Sequence, residues 1–178
     1  MMRKDMDRGF FIMRPCALRD VQVVEARSCH KFARHTHDRY GIGLIVAGAH
    51  RSWSGRGMVE AGRGDLITCN PGEVHDGMSI GGARAWKMLY LAQPLVAAIV
   101  TDIREGAGAD FEFADPVIKR RAKIQTFQAA YITMTDRCAA AGRAQERLIL
   151  LLAGLLYSKP PLSAGVPPDL ARANSTIL

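Results

Sequence analysis

Two stretches decide the fold: HTHDRYGIGLIVAG at residues 35–48 and GDLITCNPGEVHDG at residues 64–77. Each contains a short apolar run of the kind that forms a buried strand, and each carries histidine. Side chains alternate between the two faces of a strand, so His35 and His37 are predicted to share one face. A Pro-Gly pair in the second stretch predicts a turn that redirects the chain towards His75. If the stretches face each other in a barrel, three imidazoles converge on its interior.

Short strands and tight turns are predicted around both stretches. Glycines are dense between residues 33 and 91, which is typical of a jelly roll or a barrel. Residues 21–26 alternate weakly and predict the first barrel strand, and Gly55-Arg56-Gly57 predicts a hairpin. Residues 84–91 predict a further strand.

The pattern changes from strands to helices at Gln93-Pro94. Proline suits the first position of a helix, and Gly106 is placed to end this first one. A second helix is predicted to start at Asp115-Pro116, with an apolar stripe of Ile124, Phe127, Tyr131, Met134 and Cys138. A third follows Gly142, with a stripe of Leu148, Leu151, Leu152, Leu155 and Leu156. Strands followed by helices predict an α+β fold that is mainly β.

These patterns divide the chain into four segments. We expect an irregular N-terminal arm (1–20), a barrel (21–92), a helical segment (93–158) and a linker with a short C-terminal remainder (159–178), the last assigned by its proline content.

The composition excludes several classes of protein. No apolar run reaches the ~18 residues of a membrane span, and no signal-peptide core is visible, so we expect a cytoplasmic protein without a membrane partner. The four cysteines lack CxxC spacing, which predicts reduced, mostly buried thiols rather than a zinc ribbon or disulfides. The net charge of +7 includes a basic cluster at residues 119–123, interpreted as a solvated helix face. There is no phosphate-binding glycine loop before a predicted helix.

The motifs also carry a family resemblance. His35-x-His37, Gly64-Asp65 and Pro71-Gly72-x-x-His75 resemble the two halves of a cupin barrel. The fuller pattern, HTHDRYGIG followed by NPGEVHDG, resembles the N-terminal effector-sensing domain of AraC-family transcriptional regulators, over roughly residues 11–159. The resemblance implies a cupin or jelly-roll double-stranded β-barrel followed by C-terminal helices. It also implies a small-molecule effector, a homodimer formed through those helices, and DNA contact only through a helix-turn-helix domain that has no counterpart in this sequence.

The resemblance and the strand alternation together predict a ligand site inside the barrel. Its predicted residues are His35, His37, His75, Trp86, Met88 and Tyr90. For Trp86 and Met88, plain core packing is the alternative. The histidines either hydrogen-bond a polar effector, one another or the backbone, or they bind a divalent transition metal such as Zn, Ni or Fe. The glutamate of metal-binding cupins is missing, because Gly41 and Ile42 stand in its place, so no cofactor is expected.

Two functions therefore remain open at this point. The first is a ligand-sensing and dimerisation domain of an AraC-type regulator, without enzymatic activity. The alternative is a small metal-dependent cupin enzyme, a dioxygenase or isomerase, with a three-His site. The apolar stripes of the second and third helices (116–138 and 144–157) serve either a dimer surface or the core of the domain.

Overall fold

The computed structural model describes residues 9–106 and 110–156. Within these residues the chain forms eight strands and three helices. The strands are β1 (Phe10–Arg14), β2 (Val21–Ser28), β3 (Phe32–His35), β4 (Tyr40–Ser54), β5 (Gly57–Gly62), β6 (Leu66–Cys69), β7 (His75–Leu91) and β8 (Val117–Ile118). The helices are α1 (Gln93–Ile103), α2 (Arg121–Thr135) and α3 (Ala141–Leu156). The predicted α+β, mainly β fold class is confirmed, with β8 as a short strand between α1 and α2.

The two long strands β4 and β7 are the centre of an antiparallel sheet. They pair from Tyr40 opposite Leu91 to Ser54 opposite His75, and β6 and β5 pair with the other edge of β4. The register between β4 and β7 shifts on both sides of Ala47, and the second shift spans Gly48, which has a φ of 70°. A Cβ at Gly48 would lie 2.6 Å from the Ala83 carbonyl oxygen, so the close approach requires glycine.

The predicted turns form as expected. Gly55 and Arg56 join β4 to β5, with Ser54 paired opposite Gly57. The turn at Pro71-Gly72 ends β6 and leads into β7, whose first residue is His75. At Gly72 φ is 72°, and its amide donates a 2.8 Å hydrogen bond to the His37 carbonyl.

The hydrophobic core lies between one face of the sheet and the three helices. Strand residues such as Ile42 and Leu89 are fully buried there, as are Phe127 and Leu148 on the helices. The predicted stripes of α2 and α3 therefore cover the sheet of their own chain, apart from Cys138, which is exposed and lies beyond α2. Other apolar side chains of these helices stay exposed, namely Ile132, Ile149 and Leu150.

Two predictions of local structure are wrong. The arm is not irregular throughout, because Phe10–Arg14 forms β1 and pairs with the edge of β2 that β7 leaves free. The second helix begins at Arg121 rather than at Asp115-Pro116. Residues 117–118 are instead extended as β8 and pair with β6, and the Pro116 carbonyl accepts a 3.0 Å hydrogen bond from the Thr68 amide. Local helix signals at Asp115-Pro116 are overridden by this ladder.

Two further expectations are corrected. Of the four cysteines only Cys69 is buried, while Cys29 and Cys138 are exposed and Cys16 is half-buried. Within the basic cluster, residues 119–120 precede α2 instead of lying on it, although residues 119–122 are exposed as predicted. In residues 9–106 and 110–156 no helix combines the length and apolar character needed to cross a bilayer. The predicted linker at 159–178 and the first eight residues of the arm lie outside the described residues.

Candidate functional site

The strands enclose a cavity of about 430 Å³. Strand alternation separates it from the core, since Leu89 and Leu91 of β7 face the core while Trp86, Met88 and Tyr90 line the cavity. The structure therefore brings all six predicted site residues to one cavity: His35, His37, His75, Trp86, Met88 and Tyr90. Whether they bind a ligand stays a prediction.

Two glycines of β4 make room for the large side chains of this wall. A Cβ at Gly41 would clash with the Cys69 sulfur, and a Cβ at Gly43 would clash with the Met88 sulfur. Met88 is 5% exposed, so it packs closely against the wall in addition to lining the cavity. Both interpretations of Met88 therefore apply, core packing and cavity lining.

The three predicted histidines form a tight cluster. The ring centroids of His35 and His75 lie 4.5 Å apart, and His37 lies 4.9 Å from His35 and 5.0 Å from His75. His35 and His75 meet because they are cross-strand partners in β3 and β7. The strand argument for His37 is wrong, since β3 ends at His35. His37 instead lies in the following loop, held by the hydrogen bond from the Gly72 amide to its carbonyl.

Backbone hydrogen bonds orient two of these rings. The Nδ1 of His35 lies 2.7 Å from the Ala33 carbonyl oxygen, and the Nδ1 of His75 lies 2.9 Å from the Glu73 carbonyl oxygen. A carbonyl only accepts, so each Nδ1 carries a proton and each neutral ring keeps its lone pair on Nε2. Ligand atoms of the three histidines lie within 4.8 Å of one another. This arrangement matches the way metal-binding histidines are commonly oriented.

Burial favours the neutral form of His37 and His75. It lowers the pKa of His37, and the neighbouring His75 and His35 lower it further. Burial also lowers the pKa of His75, against the opposing effect of the Glu73 carbonyl. At neutral pH both rings are therefore uncharged acceptors or ligands.

The turn that carries His75 is braced by an ion pair that sequence reasoning missed. Arg56 donates from Nε and Nη2 to the two carboxylate oxygens of Glu73, each at 2.9 Å. It also donates to the Phe113 carbonyl at 2.8 Å and the Thr68 carbonyl at 2.9 Å. Asn70 adds a reciprocal pair of bonds with the Phe113 backbone. Glu73 and Asn70 therefore stabilise the turn through tertiary partners in addition to the local bond from the Asn70 backbone amide to Glu73.

A second missed feature is a buried arginine in the cavity wall. Arg84 is 2% exposed, and its guanidinium carbon lies 4.8 Å from the Trp86 ring centre and 5.4 Å from that of Phe32. Its Nη1 donates to the His30 carbonyl at 3.3 Å. This position could have been predicted from the sequence, because Arg84, Trp86 and Met88 are alternate residues of β7 and therefore share one face of the strand.

A further histidine, His50, lies in β4 and lines the cavity. Burial lowers the pKa of His50 to about 4, and the charge of Arg84 contributes to the same direction. His30, the other histidine outside the motifs, is exposed. Arg51 and Trp53 do not line the cavity: Arg51 pairs with Glu60, and Trp53 packs under the guanidinium of Arg34.

Comparison with known proteins identifies a family. A family profile described as AraC-like ligand binding domain matches residues 20–152. Among curated proteins, none matches the sequence significantly.

Solved structures give weaker likenesses. A cupin superfamily protein from Desulfitobacterium hafniense is 11% identical, with 52% of this chain and 83% of that chain covered and a TM-score of 0.43. KdgF from Halomonas sp. is 14% identical, with 47% and 78% covered and a TM-score of 0.40. Oxalate decarboxylase from Bacillus subtilis, which has Mn(II) centres, is 16% identical over 41% of this chain, with a TM-score of 0.38. The match spans only 21% of that decarboxylase. These scores are too low to transfer a ligand or an activity.

Proposed function

The chain belongs to the family of AraC-like ligand binding domains, and on this premise we propose that it senses a small-molecule effector, bound in the barrel cavity, without acting on it as an enzyme. The observation that carries the proposal is the cavity of about 430 Å³, which all six predicted residues line. A concave, mainly apolar pocket with a few converging polar groups is the usual form of a small-ligand site. The effector would act by favouring one arrangement of the strands and helices over another.

The experiment uses the two tryptophans as matched reporters. Trp86 lines the cavity and Trp53 does not. Sugars, amino acids and organic acids are first screened for a rise in melting temperature, since a ligand of the native state stabilises it by mass action. Each hit is then titrated into Trp53→Phe, which keeps only the cavity tryptophan, and into Trp86→Phe, which keeps only the other. A fluorescence change confined to Trp53→Phe supports the proposal, whereas a hit that changes only the Trp53 signal would place binding elsewhere.

A second candidate function, a metal-dependent cupin enzyme, is favoured by one observation, the oriented three-His cluster. The residues fit a metal in number and lone-pair direction, with Nε2 of His35 and His75 free to coordinate. Two carboxylates line the cavity, but Glu73 is paired with Arg56 and Asp76 accepts the Trp53 amide at 2.7 Å. A metal such as Zn, Ni or Fe would supply Lewis-acid or redox chemistry at positions left open to substrate.

The metal candidate is tested with the ions themselves. Zn(II) and Ni(II) are titrated into the wild type, His35→Ala and His30→Ala, with His30→Ala as control because His30 is exposed and outside the cluster. Stoichiometric binding that His35→Ala abolishes and His30→Ala keeps, together with turnover of a substrate, would move the assignment to the enzyme. Binding at equal strength in all three proteins would refute a specific cluster site.

The proposed sensor has further parts. The expected homodimer would use the outward faces of α2 and α3, where Ile132 and Leu150 are 67% and 47% exposed. DNA contact would require a helix-turn-helix domain, and a cytoplasmic location accords with that role. Sedimentation of the full chain tests the dimer: dimers that Ile132→Lys converts to monomers support this interface, and dimers unaffected by that change exclude it.

A further inference from the structure

One charge in the cavity wall is not neutralised. Arg84 is 2% exposed, and within the described residues no carboxylate pairs with it. Stacking near Trp86 and Phe32 and the bond to the His30 carbonyl stabilise the guanidinium but add no negative charge. A buried charge without a counter-charge is unfavourable. Neither carboxylate of the cavity forms an ion pair with Arg84: Glu73 pairs with Arg56, and Asp76 accepts a hydrogen bond from the Trp53 backbone amide.

An unpartnered histidine lies beside this arginine. The Nδ1 of His50 is buried and has no hydrogen-bond partner among the described residues. Gly77 keeps the space next to both groups open, since a Cβ there would lie 3.0 Å from His50 Cε1 and 3.5 Å from Arg84 Nη2. Arg84, His50 and Gly77 all line the cavity. The wall therefore contains a recess with a cation and a free imidazole nitrogen.

We propose that the effector is an anion, a carboxylic acid with an apolar body, whose carboxylate binds Arg84 and His50 in the recess at Gly77. The inference rests on the proposed function and names the class of ligand for that cavity. A carboxylate supplies the missing counter-charge, and its two oxygens accept from the guanidinium and from Nδ1–H of a neutral imidazole. It enters a site in which the donors are already held by packing.

The neighbouring side chains accept the apolar body of the acid. Phe11, Phe32 and Trp86 form an edge-to-face cluster, with ring centroids 5.7 Å apart for Phe11 and Trp86 and 6.2 Å apart for Phe32 and Trp86. All three rings line the cavity, and the Arg84 guanidinium lies next to two of them. An aromatic or branched apolar group attached to the carboxylate would extend along these rings, which favours aromatic acids over sugars.

The test compares two probes with the same apolar body. Naphthylacetate and its neutral amide, naphthylacetamide, are titrated calorimetrically into the full chain at neutral pH. We expect the acid to bind about tenfold or more tightly than the amide, the contribution of a hydrogen-bonded charge pair. Arg84→Gln is expected to remove this preference while changing the affinity for the amide by less than about threefold. The control Arg63→Gln removes one positive charge at an exposed position, and is expected to keep the preference.

The outcomes separate this inference from the proposed function. Equal affinities for acid and amide, or an equal loss of both in Arg84→Gln, would refute the anion site and leave the ligand cavity standing. Loss of the preference in Arg63→Gln would assign it to surface charge and would also refute the site. If neither probe binds, the inference is contradicted, whereas the cavity as a ligand site is contradicted only if the screen of sugars, amino acids and organic acids also gives no hit that changes the Trp86 signal. The wild-type comparison needs no variant, so the test holds even if Arg84→Gln fails to fold.

Discussion

Replacing Arg56 with methionine is expected to destabilise the domain by about 3–4 kcal/mol. The variant loses two charged hydrogen bonds, to the carbonyls of Thr68 and Phe113, and the bidentate salt bridge with Glu73. The side chains of this pair are 20% and 10% exposed, so the bonds are largely shielded from water. Allowing about 1 kcal/mol for each carbonyl bond and about 1–2 kcal/mol for the pair gives the expected total.

The assay is urea unfolding at neutral pH, followed by tryptophan fluorescence and extrapolated to water. A double-mutant cycle with Glu73→Gln should give a coupling energy of about 1–2 kcal/mol. Glutamine at position 73 keeps an acceptor for the backbone amide of Asn70, so the cycle isolates the contact with Arg56. The matched control is Arg51→Met, which breaks another Arg–Glu pair whose arginine belongs to the same hairpin as Arg56. Because the side chains of Arg51 and Glu60 are 45% and 55% exposed, its loss should be below about 1 kcal/mol.

The pH dependence of stability gives a second test of the Arg56–Glu73 pair. Burial opposes ionisation of Glu73, but hydrogen bonds from Arg56 and the Asn70 amide outweigh it, so the pKa of Glu73 lies below its ordinary value of 4.5. The stabilisation from the charged form is therefore complete above about pH 4.5 and is lost as the pH falls through the lower, folded-state pKa. A loss in Arg56→Met no larger than in Arg51→Met, or a coupling energy near zero, would refute the role assigned to this pair.

Three further predictions concern other parts of the fold. Tyr131→Phe removes the 2.7 Å hydrogen bond to Glu25 that joins α2 to β2, and should lower the free energy of unfolding by about 1.5 kcal/mol; an unchanged urea midpoint would contradict this. His50 is neutral when folded but takes up a proton on unfolding below its ordinary pKa of 6.5, so stability should fall as the pH decreases from 6.5 towards 4. His50→Gln should show a shallower decline over that interval, and an identical slope would show that other groups cause it. Gly48→Ala should lower the free energy of unfolding by about 2 kcal/mol or more, because Gly48 has a φ of 70° and the added Cβ would meet the Ala83 carbonyl oxygen. The control Gly55→Ala should change it by less than about 0.5 kcal/mol, because no atom lies within 4 Å of the added Cβ.

Much of the site was predictable because it depends on strand alternation and local turns. Trp86, Met88 and Tyr90 share a face in any strand that contains them, so one placement of β7 places all three. The Pro71-Gly72 turn likewise aims the chain at His75 through backbone preferences that are local to the turn. The convergence of the histidines followed from these two features, although the strand argument was wrong for His37.

The predictions from sequence failed where a segment's secondary structure depends on pairing with a strand that is distant in the sequence. Asp115-Pro116 has good helix-start residues, but the free edge of β6 pairs with Val117 and Ile118 and holds them extended. Residues 10–14 showed no clear pattern and became a strand because β2 had an unpaired edge. Local sequence patterns do not record which edges remain free.

The sequence by itself determined the change from barrel strands to helices, the alternation within β7 and the turn before His75. Only the tertiary structure decided that Arg56 reaches Glu73 and that Arg84 lies beside His50. The first pair joins two turns, whereas the second joins β4 and β7 and depends on the register between these strands, which shifts on both sides of Ala47. A slip of one residue would turn every side chain of a strand to its other face, and that register is set by the packing of the whole sheet.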